Sequence, residues 1–245
     1  MLMAPSASTH ALPKRLVSFR PDIKQLSIGA FKLANLVVSE SKREFEDFEA
    51  QLFSELRGEM TLDGMKDHVI LRSFRDLYWT FGMDPTKLRV SSEALLRRVL
   101  GGQNLWRVSD VVDVANLMSA YHKLPIGLVD LEKIDGGLVV RTARNGEVFR
   151  RIGGSEVVCR GREIVVGDKS RIVCFGFATL DSDYTKVTKQ SRNVLLMIYG
   201  APSVKPDVME SALELTSGAV KRWLNCDVGP RRVYTSQGSE ERPIG

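Results

Sequence analysis

Apolar residues in the first half of the chain recur with the spacing of helix faces. The spacing predicts four helices, at 41–58, 64–81, 92–100 and 109–122. Ser41 and Glu44 form the S-x-x-E pattern of a capping box at the start of the first helix, and Ser109 is the predicted cap of the fourth. Before these helices, residues 17–38 have the composition of strands, interrupted at Gly29.

The second half changes to short runs rich in valine and isoleucine, separated by turns that contain glycine or aspartate. These runs predict strands at 138–141, 148–152, 163–166, 171–180 and 194–199. One more helix follows, with Asp207 as its predicted cap and Glu210 completing the capping box. Its predicted apolar face consists of Val208, Ala212, Leu215, Ala219 and Trp223, widened by Leu213, Val220 and Leu224. Helices early and strands late favour an α+β fold over repeated βαβ units.

The length of 245 residues and the apolar content of 43% are those of a globular chain with its own core. We expect a single domain over 14–235, with flexible tails at 1–13 and 236–245. No apolar stretch approaches the ~20 residues that cross a bilayer, and the segment 1–13 lacks the pattern of a signal peptide. The sequence therefore predicts a cytoplasmic protein that does not enter a membrane.

Cysteines and histidines are too few and too scattered to predict a metal site. The cysteines are Cys159, Cys174 and Cys226, and the histidines are His10, His68 and His122. Their spacing predicts neither a disulfide framework nor a zinc site, and none of the histidines has the local context of a Ser-His-Asp triad. Cys174 lies inside an apolar strand and is predicted to be a buried, unreactive thiol. No phosphate-loop or dinucleotide motif is present, so no cofactor is predicted.

The segment 181–193, which we call the polar segment, joins the last two predicted strands. Nearly every side chain in it can donate or accept a hydrogen bond, and three of them are cationic. Such a loop can hold a phosphate, a ribose or the ammonium group of an amino acid. The alternative is a solvated connection whose own side chains satisfy its backbone, and composition alone favours this alternative.

The net charge of +5 permits a polyanionic partner without requiring one. Two arginines lie on the helix predicted at 92–100, a third follows it, and the polar segment supplies three more cations. If the fold brings these cations together, they form an electropositive rim for RNA phosphates. The predicted RNA-binding residues are Arg97, Arg98, Arg107, Lys186, Lys189 and Arg192.

Ordered blocks of residues in the middle of the chain follow a known pattern. The blocks occupy 92–100, 108–117, 130–134, 136–141, 143–147, 180–182 and 187–196. Together they span about residues 90–200 without a large insertion. In this order they resemble the B3/B4 domain of the phenylalanyl-tRNA synthetase beta subunit. With Phe74-Arg75-Asp76 and Asp84-Pro85-Thr86-Lys87 upstream, the chain is similar to stand-alone B3/B4-domain proteins of the phenylalanyl-tRNA-synthetase-like family.

The resemblance implies an α+β fold of the B3/B4 type, with helical additions at both ends of the chain. In the synthetase this domain is the editing module, whose pocket admits a mischarged tyrosyl-adenosine end so that water cleaves the ester. The resemblance therefore implies a pocket for an aromatic amino acid or an aminoacyl-tRNA end. The substrate-binding residues that it predicts are Asp113, Asn116, Pro125, Gly127, Thr179, Asp181, Thr188 and Met197.

Three positions depart from the family pattern. Gly127 stands where the family has a histidine, Met197 replaces the glutamate that helps to read the tyrosine hydroxyl, and Ala178-Thr179 replaces a glycine pair. The loss of the histidine and the glutamate removes the polar groups that recognise a phenol. We therefore expect weak discrimination between phenyl and phenol side chains.

Three hypotheses about function follow. In the first, the chain is an RNA-linked protein that binds the end of a tRNA or aminoacyl-tRNA and can deacylate it. In the second, the same pocket binds or converts a free small metabolite without nucleic acid. In the third, the chain is a scaffold with a vestigial pocket. RNA binding weakens steeply with salt because phosphate contacts release counterions, whereas binding of a neutral metabolite does not.

Overall fold

The computed structural model describes residues 15–175, 177–178, 181–236 and 238–244, the last of these by their backbone. The predicted tail at 1–13 and the predicted site residue Thr179 lie outside the described residues. The helices are α1 (Arg43–Glu59), α2 (Val69–Thr80), α3 (Ser91–Leu100), α4 (Asp110–His122) and α5 (Pro206–Trp223). The strands are β1 (Val17–Phe19), β2 (Ser27–Val37), β3 (Ile126–Asp130), β4 (Leu138–Thr142), β5 (Asn145–Arg150), β6 (Glu156–Arg160), β7 (Ile164–Gly167), β8 (Ile172–Phe175), β9 (Val194–Gly200), β10 (Asn225–Val228), β11 (Arg231–Thr235) and β12 (Gly238–Ile244).

The strands form two sheets and one separate hairpin. The larger sheet is antiparallel, with the order β12-β11-β2-β9-β3, and β10 also pairs with β2. The smaller sheet has the order β1-β4-β7-β8, and β5 pairs with β6 in the hairpin. This mixture of helices with mostly antiparallel strands confirms the α+β class.

Both faces of the larger sheet are covered, so β9 is buried over its whole length. Helix α5 packs directly on one face of this sheet. The contact is so close at Gly29 that an added Cβ atom would lie 2.6 Å from the Sδ atom of Met209. Gly29 pairs with Ile198 across the sheet. Since successive strand residues point to opposite faces, the next residue, Tyr199, points away from α5. Its ring meets the ring of Phe177, with the centroids 5.0 Å apart.

The predicted capping box at Ser41 is wrong. Helix α1 begins at Arg43, and its N-cap residue forms no side-chain cap. The Ser41 hydroxyl instead donates to the Oδ2 atom of Asp113, a carboxylate on α4, at 2.7 Å. Ser109 is the N-cap of α4, as predicted, but its hydroxyl makes no cap, and the Val108 N–H donates to Asp113 Oδ1 at 2.9 Å.

The predicted apolar face of the last helix is also wrong in part. Helix α5 begins one residue before Asp207, with a proline in its first turn and no side-chain cap. Leu215 is 48% exposed. The buried residues are Met209, Ala212, Leu213, Thr216, Ser217, Ala219 and Val220. The contact of Met209 and Leu213 with Gly29 fixes the rotation of α5 about its own axis. Apolar periodicity alone does not determine this rotation.

Strand bounds differ from the prediction at several places. The strand predicted at 171–180 ends at Phe175, and the sequence does not predict β3, β6, β10 or β11. Residues 238–244, assigned from the sequence to a flexible tail, form β12 on the edge of β11. Strands as well as helices therefore lie at both ends of the chain. A strand forms by backbone pairing and can contain many polar side chains, so apolar periodicity does not predict it.

A second, small core lies under the hairpin. It consists of Ala143, Phe149, Cys159, Val165, Ile172 and Phe175. The rings of Phe149 and Phe175 lie 5.3 Å apart and attach the hairpin to the smaller sheet. The cysteines are free thiols, as predicted. Within the described ranges, no helix is both long enough and apolar enough to cross a bilayer.

His122 ends α4 with its Nε2 atom buried and without a hydrogen-bond partner among the described residues. Burial, with the charge of Lys123, lowers its pKa to about 4. In an unfolded chain the pKa is about 6.5, so between these values the unfolded state binds the additional proton. The stability that neutral His122 confers is therefore full above a pH of about 6.5 and is lost as the pH falls toward 4.

We expect His122 to lower the free energy of unfolding by about 2–3 kcal/mol between neutral pH and its folded-state pKa. Urea denaturation at both pH values measures this fall. The variant His122→Asn lacks the titrating group and should show a correspondingly smaller fall. If the wild type and the variant lose the same stability on acidification, His122 is not responsible.

Candidate functional site

Asp181 lies next to the end of β8 and is exposed to solvent. The protein packed around its carboxyl raises its pKa to about 6 through desolvation. Two contacts hold the Asp181 backbone: it bridges Cys174 of β8, and its carbonyl accepts a hydrogen bond of 3.0 Å from the Ile152 N–H.

Cys174 and Tyr199 lie side by side beneath this carboxyl. Burial and the Asp181 charge raise the pKa of the Cys174 thiol to about 12, so this cysteine is the buried, unreactive thiol that the sequence predicts. Burial also raises the pKa of Tyr199 well above its usual value, with smaller effects from Cys174 and Asp181. No described residue gives the Tyr199 hydroxyl a hydrogen bond of good geometry. This hydroxyl is therefore a buried polar group without a proper partner.

Gly127 lies under the Tyr199 side chain. A Cβ atom at Gly127 would be 3.0 Å from the Tyr199 hydroxyl oxygen and 3.2 Å from its Cε2 atom. Gly127 pairs with Met197, which is fully buried in the sheet. Tyr199 thus fills the space that a side chain at Gly127 would need. We call the set Gly127, Cys174, Phe177, Asp181 and Tyr199 the Asp181 recess.

Phe177 is the buried aromatic member of the Asp181 recess, and its ring packs against that of Tyr199. Its φ angle is +59°, in a region that bulky residues rarely adopt. The surrounding contacts stabilise this conformation: the Ser91 N–H donates to the Phe177 carbonyl at 3.0 Å, and the Phe74 ring lies 5.9 Å from the Phe177 ring. Backbone strain of this kind is found most often at binding sites.

Some of the predicted substrate-binding residues meet at this recess. Gly127, Met197 and Asp181 lie at or next to it, and the carbonyl of Pro125 accepts a hydrogen bond of 2.9 Å from the Tyr199 N–H. Asn116 is half-buried on α4, and no side-chain hydrogen bond is recorded for it among the described residues. The structure therefore gathers these strand residues around one tyrosine.

Asp113 and Thr188 have structural roles elsewhere. Asp113 is buried, and both of its oxygens accept hydrogen bonds at the start of α4, from Ser41 and Val108. The Thr188 hydroxyl accepts from the Gln190 N–H at 3.3 Å within the polar segment. These contacts use the polar atoms that a ligand would need.

The polar segment is tied to the end of β3. The Asp130 N–H donates to the Thr185 carbonyl at 3.0 Å, and the Ser191 hydroxyl donates to Asp130 Oδ2 at 2.6 Å. The Asn193 amide donates to Glu132 Oε1 at 2.9 Å. The segment therefore corresponds to the alternative in which its side chains satisfy neighbouring polar groups rather than a ligand.

The first three predicted RNA-binding residues form internal contacts. Arg107 makes a bidentate pair with buried Glu49, with N to O distances of 2.9 and 2.6 Å. Arg97 pairs with Glu93 at 3.5 Å. Arg98 donates to the carbonyl of Asn104 and stacks over Trp106, 4.2 Å from its centroid. Each guanidinium thus has a partner within the chain.

The cations of the polar segment are similarly engaged, except for one. Lys186 pairs with Asp183 at 2.6 Å. Arg192 donates to the carbonyls of Lys189 and Ser191 at 2.8 and 2.9 Å. Lys189 is exposed, and no ion pair is recorded for it among the described residues. The six predicted cations therefore offer RNA much less free positive charge than their number indicates.

Sequence reasoning missed Tyr199 and the arginines of the hairpin. Tyr199 lies in a continuous apolar run and therefore has the pattern of an ordinary core residue. The arginines fall in four short stretches, at 144, 150–151, 160 and 162. The signal that could have found them is the alternation of exposed positions on both sides of the Gly153-Gly154 turn.

Two further clefts lie away from the recess. One, of about 700 Å³, lies between α2 and the segments 22–25 and 202–203. The other, of about 660 Å³, lies between α5 and the segment 228–231. Neither is lined by a predicted site residue. Among the described residues, no group of three or more metal-ligating side chains could hold a metal ion.

Comparisons with known proteins relate this chain to tRNA ligases. A model of the B3/4 domain family matches residues 73–224. The phenylalanine–tRNA ligase beta subunit of Chromobacterium violaceum is 30% identical over 103 residues, which are 42% of this chain and 13% of that protein. The same subunit of Vibrio vulnificus is 33% identical over 89 residues, 36% of this chain and 11% of that protein. A solved N-terminal fragment of the phenylalanyl-tRNA synthetase beta-subunit from Pyrococcus horikoshii is 14% identical, with a TM-score of 0.49 over 96% of this chain and 56% of that one.

Proposed function

This chain belongs to the B3/4 domain family, and from that premise we propose that the Asp181 recess binds the aminoacyl end of a tRNA. The matched residues 73–224 include every residue of the recess. The chain spans only 11–13% of the two ligase subunits described above, so the proposal concerns this domain and not the ligase reaction.

The Asp181 carboxyl, whose pKa is raised next to the buried Cys174 and Tyr199, is the observation that carries the proposal. An aminoacyl ester has an α-ammonium group next to the ester carbonyl, and a desolvated carboxylate is a favourable partner for an ammonium. No described cation forms an ion pair with Asp181 in the protein itself. The raised pKa indicates that the carboxylate lacks a compensating charge, and a bound ammonium would supply that charge.

Tyr199 and Phe177 support the same proposal. The Tyr199 hydroxyl is buried beside Cys174 without a hydrogen-bond partner of good geometry among the described residues, so the ribose or the carbonyl oxygen of a ligand reaches it only if neighbouring side chains move. The rings of Phe177 and Tyr199 are 3% and 2% exposed, and after such a movement they would form an apolar surface for an amino-acid side chain. Gly127 and Met197 add no polar group that would recognise a phenol, which favours weak discrimination between tyrosine and phenylalanine.

Hydrolysis of the ester is a second step that this recess could serve. Water would add hydroxide to the carbonyl carbon, the bond to the ribose oxygen would break, and that oxygen would take the remaining proton. Release of amino acid from Tyr-, Phe- and Ala-charged tRNA, above the spontaneous rate, measures this step. Binding without release would leave the protein as a binder.

We expect binding of an aminoacyl end to require ionised Asp181. A non-hydrolysable 3′-aminoacylamino-adenosine is a suitable probe, measured by calorimetry between pH 5 and 8. Because protonation removes the negative charge, the affinity should fall by up to about tenfold for each pH unit below a pKa of about 6. Asp181→Asn should weaken binding and abolish this pH dependence.

Asp183→Asn is the matched control, because Asp183 lies two residues away and pairs with Lys186 outside the recess. This control should bind as the wild type does. Binding that is independent of pH, or equal in Asp181→Asn and the wild type, would contradict the proposed role. Equal affinity for adenosine alone would show that the amino group is not recognised.

A further inference from the structure

One face of the β5–β6 hairpin presents arginines around a pair of valines. Val148 and Val158 are cross-strand partners and are 48% and 62% exposed. Phe149, the next residue along, points to the opposite face and is buried in the small core. Successive residues of a strand alternate between its faces. Arg150, two residues after Val148, and Arg160, two residues after Val158, therefore lie on the exposed face. Arg144 and Arg162 lie at the ends of the hairpin and are exposed as well.

We call these residues, Arg144, Arg150, Arg160 and Arg162 with Val148 and Val158, the arginine face. No described acidic group forms an ion pair with any of its four arginines. In this respect the arginine face differs from the RNA-binding set predicted from the sequence, in which Arg97, Arg107 and Lys186 pair with carboxylates.

The acidic residues nearby have other partners. Glu147 forms a bidentate pair with Arg141, with N to O distances of 2.8 and 2.6 Å. Glu163 is buried and accepts hydrogen bonds from the backbone N–H groups of Arg160 and Arg162 at 2.9 and 3.2 Å. Within residues 144–162, Glu156 is exposed without an ion pair among the described residues, and it lies opposite Arg150 on the same face of the hairpin. Four arginines against this one carboxylate leave the face with an excess of positive charge.

The arginine face borders the Asp181 recess. The Ile152 N–H donates to the Asp181 carbonyl at 3.0 Å, and the Asp183 N–H donates to the Arg150 carbonyl at 3.1 Å. The hairpin and the segment that carries Asp181 are thus neighbours at the distance of paired strands, ~4.8 Å. A chain molecule whose end lies in the recess would pass over the hairpin within a few nucleotides.

We propose that the arginine face docks the phosphodiester backbone of the RNA whose aminoacyl end enters the Asp181 recess. This inference rests on the proposed function and adds the surface that holds the body of the RNA. Guanidinium groups bind phosphates in a bidentate manner, and the valine pair between them is a flat apolar surface for ribose. The excess of exposed positive charge on this face, and its continuity with the recess, favour RNA over a free metabolite.

The test replaces the four arginines together by glutamine, as Arg144→Gln/Arg150→Gln/Arg160→Gln/Arg162→Gln. The control removes four exposed cations elsewhere, as Lys42→Gln/Arg43→Gln/Lys205→Gln/Lys221→Gln, and so has the same net charge. Fluorescence anisotropy with deacylated tRNA measures the affinity over a series of salt concentrations. Circular dichroism and thermal melting confirm that each variant is folded.

We expect the hairpin variant to bind deacylated tRNA at least tenfold more weakly at low salt, with the slope of log affinity against log salt reduced by about 3. The control should keep most of its affinity and its slope. Equal losses in the two variants would overturn the proposal, because the effect would then be general electrostatics. Binding to vesicles of anionic phospholipid is measured in parallel. If the hairpin variant loses affinity for these vesicles and not for tRNA, the arginine face binds a membrane surface and the proposal is overturned as well.

The same titration separates the two proposals. If charged and deacylated tRNA bind equally to the wild type, and the hairpin variant loses both, the arginine face is supported and the aminoacyl recess is not. If charged tRNA binds more tightly and the hairpin variant matches its control, the recess is supported and the arginine face is overturned. No binding of either tRNA by the wild type overturns both.

Discussion

Gly127→His is expected to destabilise the protein by about 3 kcal/mol, since a new side chain must enter a fully packed site. A Cβ atom at Gly127 already approaches the Tyr199 hydroxyl to 3.0 Å, and the rest of an imidazole would overlap the ring. Tyr199→Ala alone should cost about 3–5 kcal/mol through the cavity that it leaves. The double variant should cost less than either single change, because the histidine then occupies the vacated space.

A double-mutant cycle by urea denaturation measures this coupling, which we expect to exceed about 2 kcal/mol. Gly58→His is the control, because a Cβ atom at Gly58 meets nothing within 4 Å. Additive single changes would show that Tyr199 and Gly127 do not share one space.

The double variant also has a functional readout. It introduces the histidine that the family resemblance predicts at this position, in the space that the Tyr199 ring vacates. We expect it to favour tyrosyl over phenylalanyl probes more strongly than the wild type does, because a buried imidazole can hydrogen-bond a phenol. Equal preference in the two proteins would show that the missing glutamate, now Met197, is needed as well.

Arg107→Met is expected to destabilise the protein by about 3–4 kcal/mol, because it leaves the Glu49 carboxylate buried without its partner. Glu49 is 4% exposed, and both of its oxygens accept hydrogen bonds from Arg107. Replacing both residues, as Glu49→Leu/Arg107→Met, should cost much less, since no charge is then buried. Urea denaturation of the three variants measures the difference.

The same double variant tests the role predicted for Arg107 from the sequence. It removes the guanidinium while the protein remains folded. We expect its affinity for deacylated tRNA to stay within about twofold of the wild type, because Arg107 already has a partner. Equal destabilisation in the single and double variants would contradict the structural role, and a large loss of tRNA affinity would return Arg107 to the RNA-binding set.

Helix positions could be predicted well because helix periodicity is a local property. The helical spacing of Phe45, Phe48, Leu52 and Leu56 predicts one apolar stripe on α1, and the structure buries all of these except Phe48, which is half-buried against the core. The caps were not predictable in the same way, since the partner of Ser41 lies on α4, 72 residues away. A hydroxyl chooses between a local and a distant acceptor only when the fold brings the distant one near.

For the candidate site, the sequence predicted Gly127, Asp181 and Met197 through the family resemblance, but it had no access to their geometry. Whether the Asp181 carboxyl is desolvated, and which ring lies over Gly127, depends on the packing of β8 and β9 with residue 177. Likewise, a basic residue is free or paired according to where the acidic side chains lie. For that reason the hairpin arginines form no ion pair with a described acidic residue, whereas Arg107 pairs with Glu49.

By itself, the sequence determined the α+β class, most of the helices and the family, because hydrophobic spacing and ordered blocks of residues are properties of the chain. The tertiary structure decided the rotation of α5, the placement of Tyr199 over Gly127 and the partner of each charged group. These depend on contacts between residues far apart in the chain, and their energies arise only when packing removes water from between them.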